Sequence, residues 1–88
     1  MSYCRFSCDD GKSDVYVYEI AAGWVTHVAS HRIVGRRVPI GGPHDGETFT
    51  DHSAGACLRR LLNLSSDGYH VPAHALKALA EEVEEPPT

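Results

Sequence analysis

The chain is poor in the features that mark the larger functional classes. Basic residues are few: eight Lys and Arg stand against twelve Asp and Glu, a net charge of −4 with His neutral. Proteins that coat nucleic acid place many cations at phosphates, so that role is not expected. Apolar runs are short, and none approaches the roughly 20 residues of a membrane span. The opening Met1-Ser2-Tyr3-Cys4-Arg5-Phe6-Ser7 has no basic stretch followed by an apolar one, so no signal peptide is recognised. Cysteines number three, Cys4, Cys8 and Cys57, and an odd count excludes a complete set of intrachain disulfides. These shortages predict a cytoplasmic chain with reduced thiols. Length is short as well. At 88 residues and 9.6 kDa there is room for one modest core and none for a separate cofactor domain.

A hydrophobic share of 42% with 23% charged residues is the composition of a globular chain. The first half reads as β. Ser2 to Ser7 forms a short strand, closed by the turn cluster Asp9-Asp10-Gly11-Lys12. Asp14 to Ile20 is rich in β-branched and aromatic residues, and Trp24 to Ser30 follows across Ala21-Ala22-Gly23, which predicts an antiparallel hairpin over 14–30. Alternation places Tyr16, Tyr18 and Ile20 on one face of its first arm and Val15, Val17 and Glu19 on the other. Trp24 and the aromatic face are expected to support the core or a subunit contact. Arg32 to Val38 is expected to add a further short strand.

Two prolines and three glycines between Pro39 and Glu47 predict a loop, taken to run from Pro39 to Asp51. The period then changes. Ala54, Cys57, Leu58, Leu61 and Leu62 recur at helical spacing, with Ser53 as N-cap and Gly68 as stop. Pro72 suits the first position of a second helix, lined by Ala75, Leu76, Leu79, Ala80 and Val83. The expected fold is α+β: an antiparallel sheet of three to four strands followed by two helices on one face. It forms a single domain over 1–83, with a frayed tail over 84–88.

Several residue groups carry candidate chemistry. Cys4-x3-Cys8 followed by His27-x3-His31 echoes a Cys₂His₂ zinc site. Four residues of strand span about 13 Å, however, too far for two ligands of one zinc ion. His44, Asp45, Glu47, Asp51 and His52 could hold a divalent metal able to activate water, yet no pair has a recognised ligand spacing. Gly11-Lys12-Ser13 lacks the first glycine and the following helix of a phosphate-binding loop. Asp51-His52-Ser53 has triad residue types without triad geometry. Cys57 occupies a core position of a helix, where a thiol packs rather than reacts. Arg36-Arg37 and Arg59-Arg60 are expected to be solvated surface. The acidic groups Asp9, Asp10 and Asp14, and Glu81, Glu82, Glu84 and Glu85, favour solubility or a basic partner surface. No enzyme, cofactor or metal is expected on these grounds.

Met1 to Ser7, Asp14-Val15-Tyr16-Val17-Tyr18-Glu19 and Gly23-Trp24-Val25-Thr26-His27-Val28-Ala29, with the loop from Pro39 to Phe49 and Gly68-Tyr69-His70-Val71-Pro72, carry a resemblance. The chain resembles a group of small phage and prophage proteins, of unassigned activity, that open Met-Ser-Tyr-Cys-Arg-(Phe/Trp)-Ser. The likeness covers Met1 to about Pro72. It departs at Ser13, where relatives often carry Cys, and between Val38 and Pro39, where many carry a longer insert. The resemblance implies a phage origin rather than a mechanism. Because small acidic phage proteins without catalytic motifs are often inhibitors of host machinery, the expected function, by analogy from source and size, is a non-enzymatic inhibitor of a host defence complex in the bacterial cytoplasm, such as an anti-CRISPR protein acting on a type I surveillance complex. The expected partner is a host protein or ribonucleoprotein with a basic surface, bound by a monomer or homodimer without membrane or direct nucleic-acid contact. Expected contacts are Asp9, Asp10, His44, Asp45 and Glu47. The alternatives are a metal-binding accessory protein using Cys4, Cys8 and nearby histidines, and a small hydrolase or nuclease at the His44–His52 loop.

Overall fold

The computed structural model describes residues 2–6, 13–33 and 36–84. Its main sheet contains β1 (Ser2–Cys4), β2 (Val15–Ile20), β3 (Gly23–Val28) and β6 (Thr48–Asp51), antiparallel throughout in the order β1-β2-β3-β6. Two further strands, β4 (His31–Ile33) and β5 (Arg37–Pro39), form a separate two-stranded ribbon between β3 and β6. The helices α1 (Ala54–Ser66) and α2 (Ala73–Glu84) follow. The predicted α+β class holds, with four strands in the main sheet.

The β2–β3 hairpin forms where the β-branched and aromatic run predicted it, with Ile20 opposite Gly23 and Val15 opposite Val28. Position 23 requires glycine. Its φ is +148°, and a Cβ there would collide with the carbonyl of Asp51 on β6. Alternation then sorts the strands. Val15, Val17, Thr26 and Val28 are buried, and with partly buried Phe49 they meet Cys57, Leu61 and Leu64 of α1 and Ala75 and Leu79 of α2. Burying a side chain such as Leu61 contributes roughly 1.5–3 kcal/mol. On the opposite face Phe6, Tyr16, Tyr18 and His27 pack ring to ring, with centroids 5.5–6.3 Å apart. Trp24, by contrast, is partly buried against the core, and its indole N–H donates to Tyr3 Oη at 3.3 Å.

Both helix ends follow the sequence. Ser53 Oγ accepts the Ala56 N–H at 3.1 Å, the bond an N-cap supplies. After α1, Gly68 takes φ +102°, which lets the Tyr69 N–H reach back to the Leu64 carbonyl at 3.1 Å. Pro72 directly precedes α2, and its carbonyl accepts the N–H groups of Ala75 and Leu76.

Five expectations change. Arg32 to Val38 is not one strand of the sheet but parts of β4 and β5, paired with each other. The expected loop from Pro39 to Asp51 is shorter: Pro39 ends β5, and Thr48–Asp51 is an edge strand because Thr-Phe-Thr-Asp alternates, Phe49 and Asp51 facing the helices. On α1 the buried stripe runs Cys57, Leu61, Leu64, leaving Leu62 at 50% exposure, and Val83 on α2 is 51% exposed. Asp14, read as a solvated acid, is buried; its carboxylate accepts the His70 N–H at 2.6 Å and fastens β2 to the α1–α2 connection. The expected tail begins at Glu84, which still belongs to α2, and residues 85–88 lie outside the described residues. No helix among the described residues is long and apolar enough to cross a membrane.

Candidate functional site

The segment from Gly41 to Glu47 is shaped by one carboxylate. Asp45 accepts the backbone N–H of Gly41 at 2.8 Å and of Gly42 at 3.0 Å, closing the segment on itself. It also accepts the Tyr69 hydroxyl at 2.7 Å, and the Tyr69 oxygen in turn accepts the His44 N–H at 2.7 Å. Tyr69 is buried and is delivered to this point by the turn at Gly68. Gly42 completes the fit, because a Cβ there would lie 2.5 Å from the Tyr69 oxygen. The Tyr69 hydroxyl, with help from Gly41 and Gly42, holds the Asp45 carboxyl below its ordinary 3.8. Burial, and then the hydrogen bond to Asp45, push the Tyr69 phenol upward.

Around this pinned turn stand the groups available to a partner. His44 Nδ1 is 3.4 Å from Glu47 and its Nε2 is 3.5 Å from Asp67, beyond the end of α1. The imidazole also meets the edge of Phe49, with ring centroids 5.5 Å apart. His44, Glu47 and Asp67 remain 35%, 48% and 40% exposed in their side chains. Of the five expected contacts, the structure brings together His44, Asp45 and Glu47, but Asp45 is engaged inside the loop. Asp9 and Asp10 lie outside the described residues. Asp67 and Tyr69 were not anticipated as site residues. Tyr69 lies 24 positions from Asp45, and no local pattern connects them.

The residue types that suggested chemistry have structural partners. Asp51 is 7% exposed and accepts Nε and Nη2 of Arg60 at 2.8 and 3.0 Å, while the guanidinium lies 4.2 Å from the Phe49 ring centroid. Arg60 is therefore not the solvated surface residue expected from its place beside Arg59. Cys57 is fully buried beside Thr26, and burial pushes its thiol up to about 11, far from a neutral-pH nucleophile. Cys4 is buried with its sulfur 3.6 Å from the Val15 carbonyl, and Cys8 lies outside the described residues. His27 lies on the outer sheet face between Tyr18 at 3.1 Å and Thr48 at 2.8 Å. Among the described residues, no group of three His, Cys, Asp or Glu side chains could hold a metal ion. The arrangement fixes the backbone of the turn and leaves His44, Glu47 and Asp67 partly exposed.

Comparison with protein-family models, curated proteins and solved structures found no match to this chain.

Proposed function

We propose that the protein works by recognition rather than turnover, as a phage-type inhibitor that binds a host defence complex and blocks it. The observation that carries the reading is the pinned turn. Asp45 and Tyr69 fix its backbone, so His44, Glu47 and Asp67 are presented without an ordering cost at the moment of binding. A fixed loop on a packed scaffold is a common carrier of binding function. The exposed carboxylates of Glu47 and Asp67 favour a basic partner surface, and the net charge of −4 adds long-range attraction to it. An interface of about 800 Å² on this side would suffice for specific association. The resemblance to small phage proteins makes a type I CRISPR surveillance complex the first partner to test.

The test is capture of that complex from bacterial lysate by the tagged protein, together with phage plating on a host whose interference is active. Wild-type protein should capture the complex and restore plating. The pair Glu47→Lys and Asp67→Lys should lose capture, and wild-type capture should weaken as salt rises. The reading fails if the double reversal leaves capture and its salt dependence unchanged. Metal-dependent hydrolysis abolished by His44→Ala would replace it with an enzyme.

A further inference from the structure

The main sheet has two outer edges, and they differ. β1 is broken by an irregularity between Ser2 and Cys4, the kind of kink that blunts an edge. β6, Thr48–Asp51, has no proline, no lysine and no register shift against β3. Its backbone pairing alternates. The Val28 N–H donates to the Glu47 carbonyl at 2.8 Å, and the register then sets Thr26 opposite Phe49 and Trp24 opposite Asp51. Phe49 and Asp51 therefore turn their N–H and C=O groups towards β3, while Thr48 and Thr50 turn theirs outward. Both threonines are exposed, and among the described residues no backbone group pairs with these two donors and two acceptors. Charge does not close the edge either: Asp51, the one charged residue of the strand, is already held by Arg60.

We propose that β6 is a dimerisation edge, which pairs antiparallel with β6 of a second copy of this chain about a two-fold axis at Phe49. The edge is complementary to itself. With Thr48 opposite Thr50 of the second copy, and Thr50 opposite its Thr48, the outward residues exchange four N–H···O=C bonds. A register shifted by two residues leaves only two. The side chains agree with this register. Phe49 meets its own equivalent at the axis, and threonine meets threonine on either side, aromatic and hydroxyl pairs of the kind that stabilise neighbouring strands. Because Arg60 neutralises Asp51, two chains of net charge −4 meet here without bare like charges on the strands. The four strands of each copy then form one continuous sheet. The seam is only four residues long, so association is weak and depends on concentration. This edge is separate from the pinned turn, and its pairing does not rest on the inhibitor reading.

Sedimentation velocity of the purified chain across a concentration series tests it. The wild-type mass should rise from 9.6 kDa towards twice that value as concentration increases. Thr50→Pro deletes an outward N–H that β3 does not use, so the fold should be kept, as judged by circular dichroism. The dimer dissociation constant should rise at least about tenfold. Thr48→Lys with Thr50→Lys sets lysine opposite lysine twice and should have the same effect. Thr48→Lys with Thr50→Glu sets lysine opposite glutamate instead, and should restore the dimer. These last two variants decide the question should Thr50→Pro fail to fold. A wild-type chain still monomeric at about 1 mM leaves the edge to a strand of another protein and overturns the proposal. A dimer that survives both Thr50→Pro and the paired lysine substitutions overturns it as well. So does equal association of the lysine–lysine and lysine–glutamate variants, since threonine 48 would then not face threonine 50 across the seam.

Discussion

Two excursions occupy the connection from β3 to β6, and they hold their charged residues in opposite ways. The turn from Gly41 to Glu47 draws its acid inward: Asp45 accepts three hydrogen bonds, one from Tyr69 of the helical layer. The ribbon from His31 to Pro39 is built on its own ladder, and Arg36 and Arg37 are turned to solvent. Both stretches are polar and lie outside the apolar core. The difference lies in partners. A charged group with fixed donors becomes part of the scaffold, while one without them is left for a molecule outside. Residue type alone therefore did not separate structural from available charge. Asp45 and Asp51 were candidate site residues and are engaged internally, whereas Arg36 and Arg37 looked like bland surface.

If the body is the cooperative unit and the ribbon an appendage, substitutions should divide sharply between them. The largest effect is expected for Leu61→Ala, which empties the centre of the α1–sheet contact. Urea unfolding should show a loss of about 2–5 kcal/mol, the usual range for truncating a buried leucine. A loss near zero would mean that α1 does not pack through this stripe. Arg60→Ala should cost about 1–3 kcal/mol, because it leaves the Asp51 carboxylate, 7% exposed, without its two hydrogen bonds. Arg59→Ala is the internal control and should fall within about 0.5 kcal/mol, as exposed substitutions usually do. Equal losses from the two neighbours would show that the Arg60–Asp51 pair carries no stability of its own.

These two arginines also show how far the sequence was legible. The hairpin, the helix caps at Ser53 and Gly68 and the order of strands and helices came from local signals: β-branched runs, a hydroxyl before an apolar period, a glycine after it. Such signals act within a few residues, so one chain suffices to read them. The failures arise where position is set by distant contacts. Leu62 fits the helical period as well as Leu64, and only the direction of the sheet decides which is buried. Thr48–Asp51 is too short and polar to announce itself, and becomes a strand because β3 offers it an open edge. The candidate turn was visible from its glycines and prolines, yet its organisation depends on Tyr69, and nothing near either residue records that pairing.

The pinned turn can be separated from the core by pH. Tyr69→Phe removes the hydroxyl that donates to Asp45 and accepts from His44, with the ring retained in the core. A loss smaller than that of Arg60→Ala is expected in urea at neutral pH. Because the Asp45 carboxyl is depressed in the folded state, its contribution is fully present above the ordinary 3.8 and fades as pH falls through the lower folded value. The stability gap between wild type and Tyr69→Phe should accordingly be constant from neutral pH down to the ordinary carboxylate range and narrow below it. A gap that stayed constant at low pH would assign the effect to packing of the ring rather than to the charged acceptor. Gly42→Ala should disturb the same network without deleting any polar group, since its Cβ would displace the Tyr69 oxygen.

The smallest effect is expected on the ribbon, and its sign is informative. Arg36→Ala with Arg37→Ala removes two exposed cations that touch no acid among the described residues. No ion pair is broken and no cavity is opened, so stability should change by less than about 0.5 kcal/mol. What remains is repulsion between the adjacent, exposed Arg36 and Arg37. Relieving it should stabilise the protein slightly at low salt, and the gain should vanish as salt shortens the reach of the charges. Urea unfolding at low and high salt measures both quantities. A destabilisation above about 1 kcal/mol at either salt would place these arginines against the body, as Arg60 is, and would erase the distinction between pinned and free charge on which the contrast of the two excursions depends.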